Sequence, residues 1–253
     1  MGKLTVVGLG PGSLRQMTAE AEALLSNADD VFGYGPYLER VPQRSNQRHH
    51  PSDNRQELER AAQALTAAAE GREVAVVSGG DPGVFGMAAA VCEAIEQGPA
   101  DWRAVEVNIV PGISAMLAVA ARVGAPLGHD FCAISLSDNL KPWEQVQRRL
   151  QAAAVAGFVI ALYNPISRAR PWQLERAFDE LRNVLPEATP VVFGRAVGRA
   201  DERIAIARLG EAHSSSADMS TCIIIGTAET RIIERPGIDP LVYTPRGTVR
   251  PSA

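Results

Sequence analysis

Three glycine-rich turns each follow an apolar run. GLGPGS occupies 8–13 behind LTVV, SGGDPG occupies 78–83 behind EVAVV, and PGIS occupies 111–114 behind VEVNIV. Glycine at a strand end lets the backbone approach a ligand closely, so these turns are the first places to look for chemistry. A dinucleotide loop requires GxGxxG, a third glycine for close helix packing, and a ribose-binding acid ~20 residues on. Here Ser13 stands where that third glycine belongs, and Pro11 removes one N–H. Asp29 and Asp30 precede the second strand, whereas the ribose acid belongs at a strand's end. The dinucleotide reading fails.

Other chemistries fare no better. Gly112-Ile113-Ser114-Ala115-Met116 imitates a hydrolase nucleophile elbow, but Met116 occupies the second glycine position of GxSxG. Ser114 serves equally as a helix cap. His49 and His50 are adjacent, which is not helical ligand spacing, and His129 has Cys132 nearby without a visible third ligand, so no metal is expected. Cys92, Cys132 and Cys222 form no CxxC pair. Several glycine turns at strand ends, without phosphate or metal signatures, suit a cofactor such as S-adenosylmethionine.

The elements that must position these turns alternate. LTVVG, DVFGYG, EVAVVS and VEVNIV predict strands, separated by helical patterns at 18–28, about 55–70 (capped by Asp53 or Asn54) and 87–98. That rhythm implies a largely parallel sheet flanked by helices. GAPLGHD (124–130) is the candidate linker. Beyond it come FCAISLS, a helix over 142–156, FVIALYNP and a helix over 171–183. PVVFGRAV, ERIAIARL, STCIIIG and TRIIE then follow with few helical residues between them. The expected organisation is two α/β domains, residues 1–123 and 130–248, joined by 124–129, the first mostly parallel and the second mixed or antiparallel, with a cleft between.

Composition sets the outer limits. In 253 residues, 46% are apolar and 21% charged, enough for a sizeable core. No apolar run approaches the ~20 residues of a membrane span, and the first residues lack a signal-peptide pattern, so a cytoplasmic location is expected. A net charge of −4 argues against nucleic-acid binding. The basic residues include only two lysines, Lys3 and Lys141, against 23 arginines. Codon bias explains that; so does a need for two-pronged hydrogen bonds to substrate carboxylates.

GLGPGS, SGGDPGVFGMA (78–88) and VPGISAM (110–116) together resemble the tetrapyrrole methylases, the class III S-adenosylmethionine-dependent methyltransferases. VFGYGPYLERV (31–41), GAPLGHDFCAISLSDNLKPWE (124–144) and FVIALYNPISRARPWQL (158–174) resemble the branch that methylates ring carbon 17 of precorrin-3B in cobalamin biosynthesis. The resemblance spans residues 3–245. It implies two α/β domains with the cofactor in the cleft between them, a tetrapyrrole substrate and a homodimer. A cobalt-containing substrate, a sister reaction (C(11) or uroporphyrinogen methylation) and a non-catalytic tetrapyrrole carrier are the alternatives.

Carried residue by residue, the resemblance implies that Gly80, Asp81, Val84, Phe85, Ser114 and Ala115 line the cofactor. Leu162, Tyr163, Ala196 and Thr227 would contact its nucleoside. Gly10, Pro11 and Gly12 would form a side-chain-free edge against the macrocycle, with Tyr34 beside it, so bulk at Gly10 or Gly12 should weaken substrate more than cofactor. In the loop 44–55, Arg48, His49 and Arg55 stand as candidates for the substrate's acetate and propionate groups, against the alternative of a solvated basic loop. Ring contraction calls for proton transfer, for which His129, Asp130, Ser137 and Asp138 are candidates.

Overall fold

The computed structural model describes residues 2–167 and 170–247. The chain divides into two compact units, Met1–Ala115 and Met116–Ala253.

The first unit carries β1 (Lys3–Gly8), α1 (Ala19–Asn27), β2 (Asp30–Tyr34), α2 (Gly35–Leu38), β3 (Arg48–Ser52), α3 (Glu57–Ala69), β4 (Glu73–Ser78), α4 (Met87–Gln97) and β5 (Glu106–Val110). The strands form one sheet in the order β3-β2-β4-β1-β5, every pair parallel. Alternation along the strands decides which helices they meet. Leu4, Val6, Val74 and Val76 pack with Ala64 and Leu65 of α3 and Val91 of α4. Val7, Ala75 and Val77 face the other way, onto Ala21 and Leu25 of α1 and Leu38 of α2. Burial on both faces is why these strands are continuous apolar runs.

Two expectations fail in this unit. Residues 44–55 are not one loop, because RHHPS forms β3; an edge strand tolerates Pro51. Neither Asp53 nor Asn54 caps α3, whose N-cap is Gln56 without a side-chain bond.

The second unit contains α5 (Ala115–Val123, from Met116 on), β6 (Gly124–Ala125), β7 (Phe131–Ser135), α6 (Trp143–Val155), β8 (Val159–Tyr163), α7 (Gln173–Arg182), β9 (Pro190–Arg195), β10 (Arg203–Arg208), β11 (Thr221–Ile225), β12 (Arg231–Arg235) and β13 (Ile238–Tyr243). Five strands run in the order β10-β9-β11-β8-β7, with β7 and β8 parallel and the remaining pairs antiparallel. Leu150 of α6 and Phe178 of α7 are wholly buried in a core with Ile160, Leu162, Phe193 and Ile223. A separate sheet, β12-β13-β6, pairs Gly124 and Ala125 with Val242 and Tyr243. The expected linker 124–129 is therefore partly a strand of the second unit, and the division falls earlier, after Ala115.

Candidate active site

All three glycine turns of the first unit leave the C-terminal end of its parallel sheet, where ligands of open α/β sheets gather. They are fitted to one another. Gly10 N–H donates to the Gly80 carbonyl (3.1 Å), and Gly80 N–H donates back to Gly10 (2.9 Å), both residues having φ of +68°. A Cβ on Gly8 would lie 2.6 Å from the Gly112 nitrogen, and one on Gly112 would strike the Gly80 carbonyl. Asp81 completes the arrangement: Oδ1 accepts from Gly83 N–H (2.8 Å) and Oδ2 from Gly112 N–H (3.1 Å). Arg40 donates to the carbonyls of Leu9 and Gly10, 3.0 Å each. Gly8 and Gly10 of GLGPGS thus serve the packing of neighbouring turns, and Gly10 is bonded to Gly80, which the resemblance places at the cofactor.

Phe85 holds a left-handed φ of +53° and is half exposed, with Val84 partly buried before it. Ser114 is buried, and Ala115 opens α5. Tyr34 ends β2 and meets Tyr37 edge-on, while the Tyr37 ring lies so close to Gly79 that a Cβ there would sit 2.6 Å from it.

Arg48 and His49 do not join these turns. They begin β3, at the opposite end of the sheet, because β3 is parallel to β2 and starts there. Asp30, fully buried at the start of β2, accepts from Arg48 (2.9 Å), Arg72 (3.1 Å) and His50 (2.6 Å). Burial alone would raise its pKa, but the bonds from His50 and Arg48 hold the carboxyl below its ordinary range. His49 bonds Gln47 (2.9 Å), and burial with the neighbouring His50 pushes its pKa down, away from a carboxylate-binding cation. Only Arg55, exposed and beyond the C-terminal end of β3, stands on the glycine side.

In the second unit Leu162 is buried and Tyr163 ends β8, its hydroxyl accepting from Met116 N–H (3.0 Å). Burial raises the neighbouring Cys222 thiol to about 12, which makes it inert. Asn164 (φ +52°) and Ala196 (φ +49°) are left-handed, and together with Phe85 they are the non-glycine residues of that kind among the described residues. Ala196 N–H donates to the Ser220 carbonyl (2.9 Å). Register puts Ala196, Ser220 and Tyr163 at one end of the sheet, since Thr221 pairs with Arg195 and Ile223 with Leu162.

Thr227 is at the other end. It follows β11, which runs antiparallel to β8, so the strand length carries it roughly 15 Å from Tyr163. There its N–H donates to the Thr230 hydroxyl, which bonds Thr244, whose hydroxyl donates to the Pro126 carbonyl. Ser220, not Thr227, is the β11 neighbour of Ala196.

The acid–base candidates separate likewise. His129 and Asp130 precede β7; their side chains are 3.9 Å apart, and the Asp130 carbonyl accepts from Val159 at the start of β8. Ser137 and Asp138 follow β7, on the Tyr163 side. Arg170 Nη1 donates to Ser137 Oγ (2.9 Å), Asp138 Oδ1 (2.9 Å) and Asn139 Oδ1 (2.8 Å), and the Asp138 pKa is lowered chiefly by the bond from Arg170. Asn164 Nδ2 donates to Ser135 Oγ (2.9 Å). Asn164, Arg170 and Ser220 are the residues that sequence reasoning passed over: a left-handed φ and an antiparallel register leave no mark in one sequence.

A family model for tetrapyrrole (corrin/porphyrin) methylases matches residues 3–213. The chain belongs to the tetrapyrrole methylase family. Among curated relatives it is similar to a precorrin-3B C(17)-methyltransferase of Sinorhizobium sp, 66% identical over 97% of this chain and 96% of the relative. A probable cobalt-factor III C(17)-methyltransferase of Salmonella typhimurium is 40% identical over 96% of this chain and 98% of its own. The solved structure of the methyltransferase CobJ superimposes with a TM-score of 0.92, at 48% identity, covering 97% of this chain and all of that one. For a tetrapyrrole methylase the two-unit α/β architecture is as expected.

Proposed function

We propose that this tetrapyrrole methylase transfers a methyl group from S-adenosylmethionine to ring carbon 17 of precorrin-3B, with contraction of the macrocycle to precorrin-4, in cobalamin biosynthesis. The carrying observation is the near full-length identity to the Sinorhizobium enzyme named for that substrate, well above that to the Salmonella protein named for the cobalt-containing one.

The residues present suit the cofactor. The turns 78–86 and 110–116 contain no Lys or Arg, which fits a sulfonium better than a phosphate. Gly80, Asp81, Val84, Phe85, Ser114 and Ala115 of the first unit would hold it, as would Leu162, Tyr163 and Ala196 of the second, with Ser220 in place of Thr227. The left-handed backbone at Phe85 and Ala196 supports this assignment, because such strain persists where function requires it. When bound, the cofactor supplies an activated methyl group on its own leaving group. The protein's share is alignment and exclusion of water, which needs fixed backbone rather than a strong base.

Of the acid–base candidates, Ser137 and Asp138 are retained for ring contraction. Asp138, held anionic by Arg170, is suited to accept a proton and not to donate one at neutral pH. A cytoplasmic homodimer is the state carried over from the family.

The test is incubation of the purified protein with S-adenosylmethionine and either precorrin-3B or cobalt-factor III. The expected product from precorrin-3B is ring-contracted and one methyl heavier, at a kcat/KM about tenfold or more above the cobalt form. Preference for the cobalt form reassigns the substrate, and absence of methyl transfer to any tetrapyrrole overturns the proposal.

A further inference from the structure

With Arg48 and His49 at the far end of their sheet, Arg55 alone of the three carboxylate candidates remains at the glycine end, and a substrate with several carboxylates calls for further cationic partners. Arg170 has the required construction. Its Nη1 donates to three oxygens, those of Ser137, Asp138 and Asn139, and its Nε donates to Ser167 Oγ (3.3 Å). Backbone bonds run between Ser167 and Arg170 in both directions (3.1 and 3.0 Å). The other terminal nitrogen, Nη2, has no partner among the described residues, and the side chain keeps 21% of its surface exposed.

An arginine held through both Nε and Nη1 is already in its binding rotamer. It loses little side-chain freedom on meeting a ligand, and the open N–H groups match a carboxylate oxygen. Its position is apt: Ser137, Asp138 and Asn139 follow the C-terminal end of β7, and Ser167 and Arg170 come after that of β8, which ends at Tyr163. Asp138 takes one carboxylate's share of the positive charge, so the remaining attraction is directional and short in range.

We propose that Arg170 is a substrate-recognising residue whose Nη2 donates to an acetate or propionate carboxylate of the tetrapyrrole, with Ser137, Asp138, Asn139 and Ser167 as the residues that position it. This rests on the tetrapyrrole reading above; the binding measurement that follows does not depend on turnover.

The probe is uroporphyrin III, a porphyrin bearing acetate and propionate groups, followed by fluorescence with full-length wild-type, Arg170→Gln and Arg170→Lys protein. S-adenosylmethionine affinity is measured in parallel by calorimetry. Arg170→Gln should weaken porphyrin binding about tenfold or more, with cofactor affinity unchanged within twofold. Arg170→Lys, which keeps the charge but cannot bond one cluster while leaving a second donor edge free, should fall between. If the glutamine variant does not fold, the lysine variant decides alone through a loss of at least threefold. Unchanged porphyrin affinity overturns the proposal, and so does a parallel loss of cofactor affinity, which marks a purely structural role. Wild-type protein that binds the porphyrin through Arg170 yet methylates no tetrapyrrole would refute the proposed reaction and leave the assignment of Arg170 standing.

Discussion

At the scale of single residues, position along a strand decides role more than residue type. Asp30 and Asp81 are both acids beside apolar strands, yet one starts β2 and the other follows β4. Asp81 arranges backbone N–H groups at the glycine end, whereas Asp30 anchors two arginines and His50 at the other. The Asp30 carboxyl has a lower pKa folded than its ordinary 3.8. Its stabilising contribution is therefore fully present above that value and is lost as pH falls through the lower, folded one. In urea titrations at successive pH values, wild type should lose stability steeply on the acid side below about pH 4. Asp30→Asn should be less stable at neutral pH and show a flatter acid limb; a limb as steep as wild type's would refute the assignment.

Between residues and molecule, the elements show what one sequence discloses. β1, β4, β8 and β11 announce themselves as apolar runs because both faces of each are buried. β3 does not: Arg48, His49, His50 and Pro51 look like a basic loop, and only pairing with β2 makes them a strand. The glycine motifs located the turns correctly as turns, but not their mutual fit, since contact between residues 10 and 80 is a tertiary fact. The separation of Thr227 from Ala196 and Tyr163 was hidden for the same reason, strand direction being invisible before the register is known. The fit reverses one expectation. Gly10→Ala would force an alanine to φ +68° with its Cβ 2.7 Å from the Gln16 carbonyl, straining the bridge to Gly80. It should cost about 1–2 kcal/mol of stability and weaken S-adenosylmethionine binding at least as much as tetrapyrrole binding. Calorimetry and fluorescence titration on one preparation compare the two; loss confined to the tetrapyrrole would restore the earlier expectation.

For the whole molecule, two units with different sheet logic follow from one alternating sequence. The second unit pairs β9 with β10 and β12 with β13, neighbours in the chain. The first does the reverse: β1, the earliest strand, lies between β4 and β5, which begin at residues 73 and 106. On the ribosome, then, the earliest strand of this sheet is among the last of its strands to find both partners. LTVV waits about 65 residues for β4 and about a hundred for β5, a long-range closure of the kind that folds slowly and invites chaperones. Nascent chains stalled with β5 still inside the tunnel should be digested readily by protease in the 1–80 region. Chains long enough to release β5 should become resistant there in one step. Gradual protection from β4 onward would show instead that β1 settles on half of its eventual bed, and that synthesis order leaves no mark on this fold.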